Sequence, residues 1–342
     1  MKKIGFACKI MPDKQTNLSA KETNNWLRQY NTKDTTVKSL LALPYVQRVD
    51  KILHLVENNI DVLKRQFSLL GSWDSELRMI RIGSQILPAR THASIAPLYE
   101  EFDVIRVLQK FGEVGEIARK HDIRLSMHPG QFTMLCSNGG DDVINRSLED
   151  LEYHSEVFRL MGYDGSDQRQ EINIHGGANR SDFAEEFLRN FRRLARDTRQ
   201  WLSIENDEFS YCLDDILPLS DSVKICVDIN HYWINKGVYL SSSDSRLEQV
   251  INSWRGVRPE MHVAYPHEDV LVDHDNTILP DMSLLESSGV KKTKLRAHSE
   301  GAWNTAISQY ALEFWDRFDL MYEGKSKNLA AKTLWLISKN DK

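Results

Sequence analysis

The sequence predicts a (β/α)8 barrel. Eight short β-rich runs are spaced along its 342 residues, amphipathic helical stretches separate them, and the last six runs carry a histidine or carboxylate at their ends. Strands alternating with helices make a parallel sheet, and a closed barrel gathers its functional groups at the C-terminal ends of its strands. A doubly wound open sheet is the competing architecture. It is disfavoured because no Gly-x-Gly-x-x-Gly follows the first strand.

The first strand is IGFAC (4–8). Two lysines precede it, but the apolar stretch is too short for a signal peptide. A long polar connection, 9–45, follows. Residues 46–70 then place Val49, Ile52, Leu53, Val56 and Ile60 at spacings near three and four, the single apolar stripe of a surface helix. Strands two to five are expected at 79–85, 123–128, 172–177 and 202–207, and strands six to eight at 223–230, 261–266 and 318–324. Helical patterns recur at 103–120, 144–161, 183–198 and 244–254. A second long connection, 265–310, contains KLRAHSEGAWN (294–304). Both connections fall where the functional loops of a barrel lie, on its C-terminal face. We expect one barrel domain over residues 1–342.

Composition narrows the class. Hydrophobic content of 41% and charged content of 27% suit a globular protein with a sizeable core. No apolar run approaches the ~20 residues needed to span a bilayer. Cys8, Cys136, Cys212 and Cys226 lack zinc-ribbon or Cys-x-x-Cys spacing, so a reduced cytoplasmic protein is expected. The net charge of −5 argues weakly against a surface that grips nucleic acid all over. It leaves room for a local basic groove, or for acids gathered around metal ions.

The strand ends carry the chemistry. Strand three ends in His128, four in His175, five in Glu205 and six in Asp228, with His231 three residues on. Strand seven offers His262 and strand eight Glu323, with His298 in the loop between them. Gaps of 47, 30, 23, 34, 36 and 25 residues, running from His128 to Glu323 through Asp228 and His298, suit about one βα unit each. Barrel closure would aim these side chains at one point above the mouth. They are too many for one tetrahedral site and suit two or three divalent ions with a bridging carboxylate, the arrangement that clamps both oxygens in phosphoryl transfer. Glu205 is the most telling, because an acid closing an apolar strand costs several kcal/mol unless paired or metal-bound. His54, His92, His121, His154, His267 and His274 fall on helices or polar loops and are expected to be solvated, with His274 and Asp275 as reserve ligands. No Gly-x-Ser-x-Gly elbow or Walker A loop is present, which leaves metal-activated water as the attacking group.

LSMHPGQF (125–132), RIGSQILP (81–88), NIHGG, IENDE (204–208), VDINH (227–231) and DLMYEGKSK (319–327) together resemble the UV damage endonucleases, over about residues 1 to 332. These are barrel enzymes related to the apurinic endonuclease and xylose isomerase groups. The resemblance implies a divalent cluster, usually manganese with zinc, magnesium or cobalt as alternatives, and incision of DNA immediately 5′ of a photolesion. It assigns a first ion to His128, His175 and a shared Glu205, and a second to Glu205, Asp228, His262 and Glu323. A third would rest on His231 and His298. Gln131 and Phe132 match the pair that the family pushes into the duplex, where the aromatic member is usually tyrosine; Phe132 can still wedge and stack. Glu260 stands where the family often has a lysine, so a carboxylate could join the metal site without modification. Phe6 replaces a usual tyrosine, and the loop 265–293 is longer than usual.

The expected activity is metal-assisted hydrolysis of a phosphodiester in damaged double-stranded DNA, with Glu205, His128 and Asp228 central to catalysis and the product entering excision repair. Arg81, Arg90, Lys325 and Lys327 are expected near the mouth as phosphate contacts, and GGANR (176–180) could offer backbone amides. A monomer is expected. The alternatives are an abasic-site endonuclease of the same barrel class, a two-metal sugar isomerase and a non-enzymatic lesion-binding module.

Overall fold

In the structure, a computed structural model describing residues 1–13, 18–271 and 273–340, eight parallel strands pair in sequence order and close between the last and the first. They are β1 (Ile4–Ala7), β2 (Met79–Ile82), β3 (Arg124–Met127), β4 (Glu171–His175), β5 (Leu202–Glu205), β6 (Lys224–Asp228), β7 (Glu260–Val263) and β8 (Asp319–Tyr322). Each starts within one residue of its expected position and ends one to three residues before the expected end.

Alternation along each strand sorts the side chains. One set faces the covering helices and is apolar: Leu125 and Met127, Ile172 and Ile174, Leu202 and Ile204, Ile225 and Val227 are buried in the main core. The other set points into the barrel and is strongly polar. Contacts between strands that are not neighbours demonstrate this: Arg124 of β3 reaches Asp319 of β8 at 2.7 Å, and Ser126 of β3 reaches Glu260 of β7 at 3.2 Å. Gly5 makes room for Met79 of the neighbouring strand, since a Cβ there would lie 2.5 Å from Met79 Cγ.

The predicted helix at 46–70 runs over Tyr45–Gly71, and those at 144–161 and 244–254 over Asp141–Leu160 and Arg246–Ser253. Two predicted helices are each divided in two. The stretch 103–120 forms Phe102–Leu108 and Phe111–Lys120, and 183–198 forms Phe183–Phe191 and Arg196–Trp201. The second break is pinned from outside, because the Ala195 amide donates to Glu152 on the neighbouring helix at 2.7 Å. The connection 9–45 is not all loop: it holds helices Ala20–Tyr30 and Val37–Leu41. The first is nucleated by a capping box, in which Ser19 and Glu22 each satisfy the other's backbone amide. The connection 265–310 likewise carries helices Met282–Ser287, Lys292–Leu295 and Thr305–Leu312.

His154 departs from its expected solvated position and is buried. It lies on the inward face of its helix beside Leu151, Val157 and Phe158, with Nδ1 2.6 Å from the Asp150 carbonyl one turn back.

Candidate metal centre

The inward-facing ends of β3 to β8 meet above the barrel. Two groups of ligand types form there. His128, His175 and Glu205 place one ligand atom each within 4.8 Å of the others, and so do Glu205, Asp228 and His262. Glu205 belongs to both, because β5 sits between the two halves of the ring. Its carboxylate lies 3.5 Å from His128 Nε2, 3.2 Å from His231 Nδ1 and 3.0 Å from His262 Nδ1.

Backbone acceptors orient the imidazoles. His128 Nδ1 is 2.8 Å from the Pro129 carbonyl, which leaves Nε2 as the nitrogen facing Glu205. The Pro-Gly break after the strand therefore sets the ring's tautomer as well as ending β3. His231 Nδ1 lies 3.1 Å from the Asn206 carbonyl. Asn206 also clasps the backbone of Asp228, accepting from its amide at 2.9 Å and donating to its carbonyl at 3.0 Å.

The fit to cations rests on four atoms. His175 Nδ1, Glu205 Oε2, Asp228 Oδ2 and His262 Nδ1 are buried without a hydrogen-bond partner; Glu205 Oε2 and His262 Nδ1 stand 3.0 Å apart but not in hydrogen-bonding geometry. A buried polar atom left unpaired costs about 1–3 kcal/mol, so four of them converging on one region is expensive unless a charge satisfies them together. Imidazole nitrogens and carboxylate oxygens are the donor set of zinc or manganese, and no cysteine stands among them.

The electrostatics agree. Burial would raise the Glu205 carboxyl, yet the imidazoles of His262, His175, His128 and His231 around it hold it well below the usual carboxylate range. Asp228 is pushed up, by burial first and then by Glu205 and Glu323. Burial depresses His175. It opposes the charging of His231 too, but Asp228, Glu205 and Glu208 raise that imidazole well above its ordinary value.

The remaining expected residues fall into three places. Glu323 borders the second group, its Oε1 3.6 Å from His262 Nδ1, and is ion-paired with Arg81. His231 and His298 do not form a third group among the described residues. His298 instead turns Nδ1 to Glu323 at 3.9 Å, while His231 Nε2 faces Glu208 at 3.7 Å. Glu260 sits below the ring, inside the barrel.

Arg81, expected as a phosphate contact, is buried between Glu323 and His262, because residue 81 is inward-facing on β2. Arg90 pairs with Glu156 at 3.1 Å and with Glu100 at 3.5 Å. Lys325 is half-exposed beside Glu300, and Lys327 is partly buried near Cys8. Two of the amides of GGANR have partners already, Ala178 donating to the Cys136 carbonyl and Arg180 to the Tyr211 hydroxyl. Gly177, at φ +101°, is required for close approach: a Cβ there would lie 2.3 Å from the Cys136 carbonyl. Gln131 and Phe132 are exposed on the loop after His128, Phe132 by 77%.

Sequence reasoning passed over Asn206, Glu208 and Arg296. Glu208 is buried against His231 and bonded to Arg296, whose guanidinium lies 5.4 Å above the Phe209 ring. The signal was the polar run NDE directly after the strand end, where a solvated turn is the ordinary reading.

Comparison with known proteins agrees with this geometry. The profile of the UV-endonuclease UvdE family matches residues 4–340. The putative UV-damage endonuclease of Acanthamoeba polyphaga mimivirus is 30% identical over 268 residues, covering 76% of this chain and 74% of its own. A UV DNA damage endonuclease of Bacillus cereus is 25% identical over 309 residues, covering 87% and 86%. Among solved structures, the crystal structure of SacUVDE superposes with a TM-score of 0.73 at 20% identity over the whole of both chains, a likeness of fold.

Proposed function

This chain belongs to the UV-endonuclease UvdE family, and we propose that it is a metal-dependent endonuclease that cuts double-stranded DNA immediately 5′ of a UV photolesion. The family makes it a DNA-repair enzyme, a hydrolase of phosphodiester bonds. The observation that carries the metal dependence is the set of four buried, unpartnered ligand atoms on His175, Glu205, Asp228 and His262.

His128, His175 and Glu205 would hold one divalent ion, manganese by preference, and Glu205, Asp228 and His262 a second. Ions so held would lower the pKa of water and neutralise charge on the phosphate. Among the protein's own groups, Glu205 keeps its charge beside the imidazoles, while Asn206 fixes the backbone of Asp228. Glu323 stays ionised because Arg81 and His262 outweigh its burial.

Lesion choice would rest on Gln131 and Phe132. Phe132 projects from the loop beginning at His128, so a ring pushed between base pairs stands four residues from a ligand in the chain. A photodimer already weakens stacking, so opening the duplex there costs less than opening intact DNA. Among the described residues no helix is long and apolar enough to cross a membrane. We propose a monomer of one barrel domain, acting on DNA in a reducing compartment.

The test uses a labelled duplex with one cyclobutane dimer, incubated with protein and Mn²⁺ beside undamaged and abasic duplexes. A single cut just 5′ of the dimer, absent with EDTA and in Glu205→Gln, is expected. Cutting of the abasic duplex alone would reassign the substrate. No cutting of any duplex by manganese-bound protein would refute the proposal and make small sugars the next substrates to try.

A further inference from the structure

Two exposed phenylalanines stand on the C-terminal face, each four residues past a candidate ligand at a strand end: Phe132 after His128 and Phe209 after Glu205. The imidazole and carboxylate from which their loops start are 3.5 Å apart. Four residues span at most roughly 14 Å of chain, so both rings rise from one side of the mouth. The wedge uses Phe132 alone and leaves Phe209, 48% exposed, without a task.

The loop that carries Phe209 is closed and stiff. The Asp207 amide donates to the Tyr211 carbonyl at 2.8 Å, and the Asp207 carboxylate accepts from the amides of Phe209, at 2.7 Å, and Ser210. A tip of this kind ordinarily carries glycine or a small polar residue. Here it holds an aromatic ring, and that ring is backed: the Arg296 guanidinium lies over it at 5.4 Å from the centroid, a cation–π contact. Arg296 is fixed in turn from two sides. Its Nε is ion-paired with the buried Glu208, whose other oxygen is 3.7 Å from His231 Nε2. The chain beside it is pinned by a bridge between Pro266 and His298, with the His267 amide donating to the Ala297 carbonyl at 2.8 Å. Contacts therefore run unbroken from Glu205 through His231, Glu208 and Arg296 to Phe209.

We propose that Phe209, backed by Arg296, is a stacking platform for a nucleobase extruded from the damaged duplex. This rests on the reading of the chain as a DNA endonuclease. A wedge gains little by opening a duplex when the displaced base is left in water, and a second aromatic surface beside the mouth offsets part of the lost stacking. A half-exposed ring with a guanidinium on one face accepts any base, which suits recognition of a deformed duplex rather than of a sequence. The long connection 265–310 acquires a task as well, since it delivers Arg296.

The test is single-turnover cutting with protein in excess and Mn²⁺ present, using wild type, Phe209→Ala, Phe209→Leu and Phe209→Trp. The protein concentration at half the maximal rate reads affinity for a duplex carrying one cyclobutane dimer, and competition by unlabelled undamaged duplex reads affinity for intact DNA. Loss of one base–aromatic stack is worth about 5–150-fold, so Phe209→Ala should raise the half-saturating concentration on dimer duplex by that factor and change the competition by intact duplex less than about twofold. Phe209→Leu keeps apolar bulk without the flat ring and should fall close to alanine, while Phe209→Trp should stay within about threefold of wild type. Wild-type affinity of Phe209→Ala for dimer duplex would overturn the proposal. Wild-type affinity of Phe209→Leu would do so too, because apolar contact without stacking would then suffice. Equal weakening on both duplexes would place Phe209 against ordinary DNA and would likewise overturn it. Manganese binding, read from the electron paramagnetic resonance of the free ion, should be unchanged in every variant; loss of an ion would show that the substitution acts through Glu205 and would sink the stacking role. Failure of wild type to cut the dimer duplex would instead remove the endonuclease reading, and the proposal with it.

Discussion

Replacing Glu205 by glutamine should abolish the thermal stabilisation that manganese confers. The magnitude follows from linkage. An ion that binds the folded chain alone, at a free concentration 100 times its Kd, contributes about 2.7 kcal/mol per site. Unfolding entropy near 60 °C is about 2.1 cal/mol/K per residue, or roughly 0.7 kcal/mol/K for a chain of 342 residues. One bound ion should therefore raise Tm by about 4 °C, and two by about 8 °C. Glu205 stands in both groups, with His128, His231 and His262 within 3.5 Å of its carboxylate, so the change removes a ligand from each at once. Calorimetry of EDTA-treated protein, with and without Mn²⁺, reads the effect; in Glu205→Gln it should fall below about 1 °C. An equal rise in both proteins would place the ions elsewhere, and no rise in wild type would refute the reading of the orphaned atoms.

Three other outcomes follow from the same geometry. His231 is raised well above its ordinary value, so it contributes stability that is fully present below about pH 6.5 and is lost as pH rises through its folded-state pKa. Denaturant midpoints of the metal-free protein should fall over that rise, and a midpoint that stays level across it would show that the charged imidazole contributes nothing. Arg81→Met leaves Glu323 buried without its cation and should cost about 3–5 kcal/mol in urea unfolding; a loss under about 1 kcal/mol would show the pair to be dispensable. Phe132→Ala should weaken binding to dimer-containing duplex by about 1–3 kcal/mol in fluorescence anisotropy and leave manganese binding unchanged. Equal affinity of the two proteins for damaged DNA would remove the wedge.

The strands were legible because their helix-facing positions are apolar, and a run such as Ile172, Ile174 or Ile225, Val227 needs no partner information to be read. The ligand ring was legible for a related reason. In a barrel, a polar residue at a strand's C-terminal end has one place to go, so position in the chain translates into position in space. Arg81 shows where that translation stops. A residue in the middle of a strand can face in or out, and the rim position expected for it depended on the face, which only the pairing of β2 with β1 and β3 decides. The same ambiguity hid His154, whose neighbours Leu151, Val157 and Phe158 mark the inward stripe of its helix. The helices inside 9–45 were obscured by composition: Ala20–Tyr30 buries no residue fully, so it has little apolar stripe to read and is announced only by its cap.

The polar interior also explains how six ligand types stay aimed at one region. Below the ring, β3, β4, β6, β7 and β8 contribute Arg124, Glu171, Lys224, Glu260 and Asp319, all buried. Burial raises the Glu171 carboxyl to about 8, while Glu260 is held at about 2 despite burial, with His262 and Arg124 beside it. This layer costs desolvation and is poor stabilisation for its volume, since apolar residues would fill a barrel interior as well or better. Directional bonds, however, do what apolar packing cannot. Arg124 ties β3 to β8 through Asp319, Ser126 ties β3 to β7 through Glu260, and Ser203 ties β5 to β4 through Glu171. Each tie fixes the height of one strand against another, and hence of the ligand two to four residues further along. A ring assembled from six strands holds its geometry only if those strands cannot slide, and the charged layer beneath it supplies that constraint.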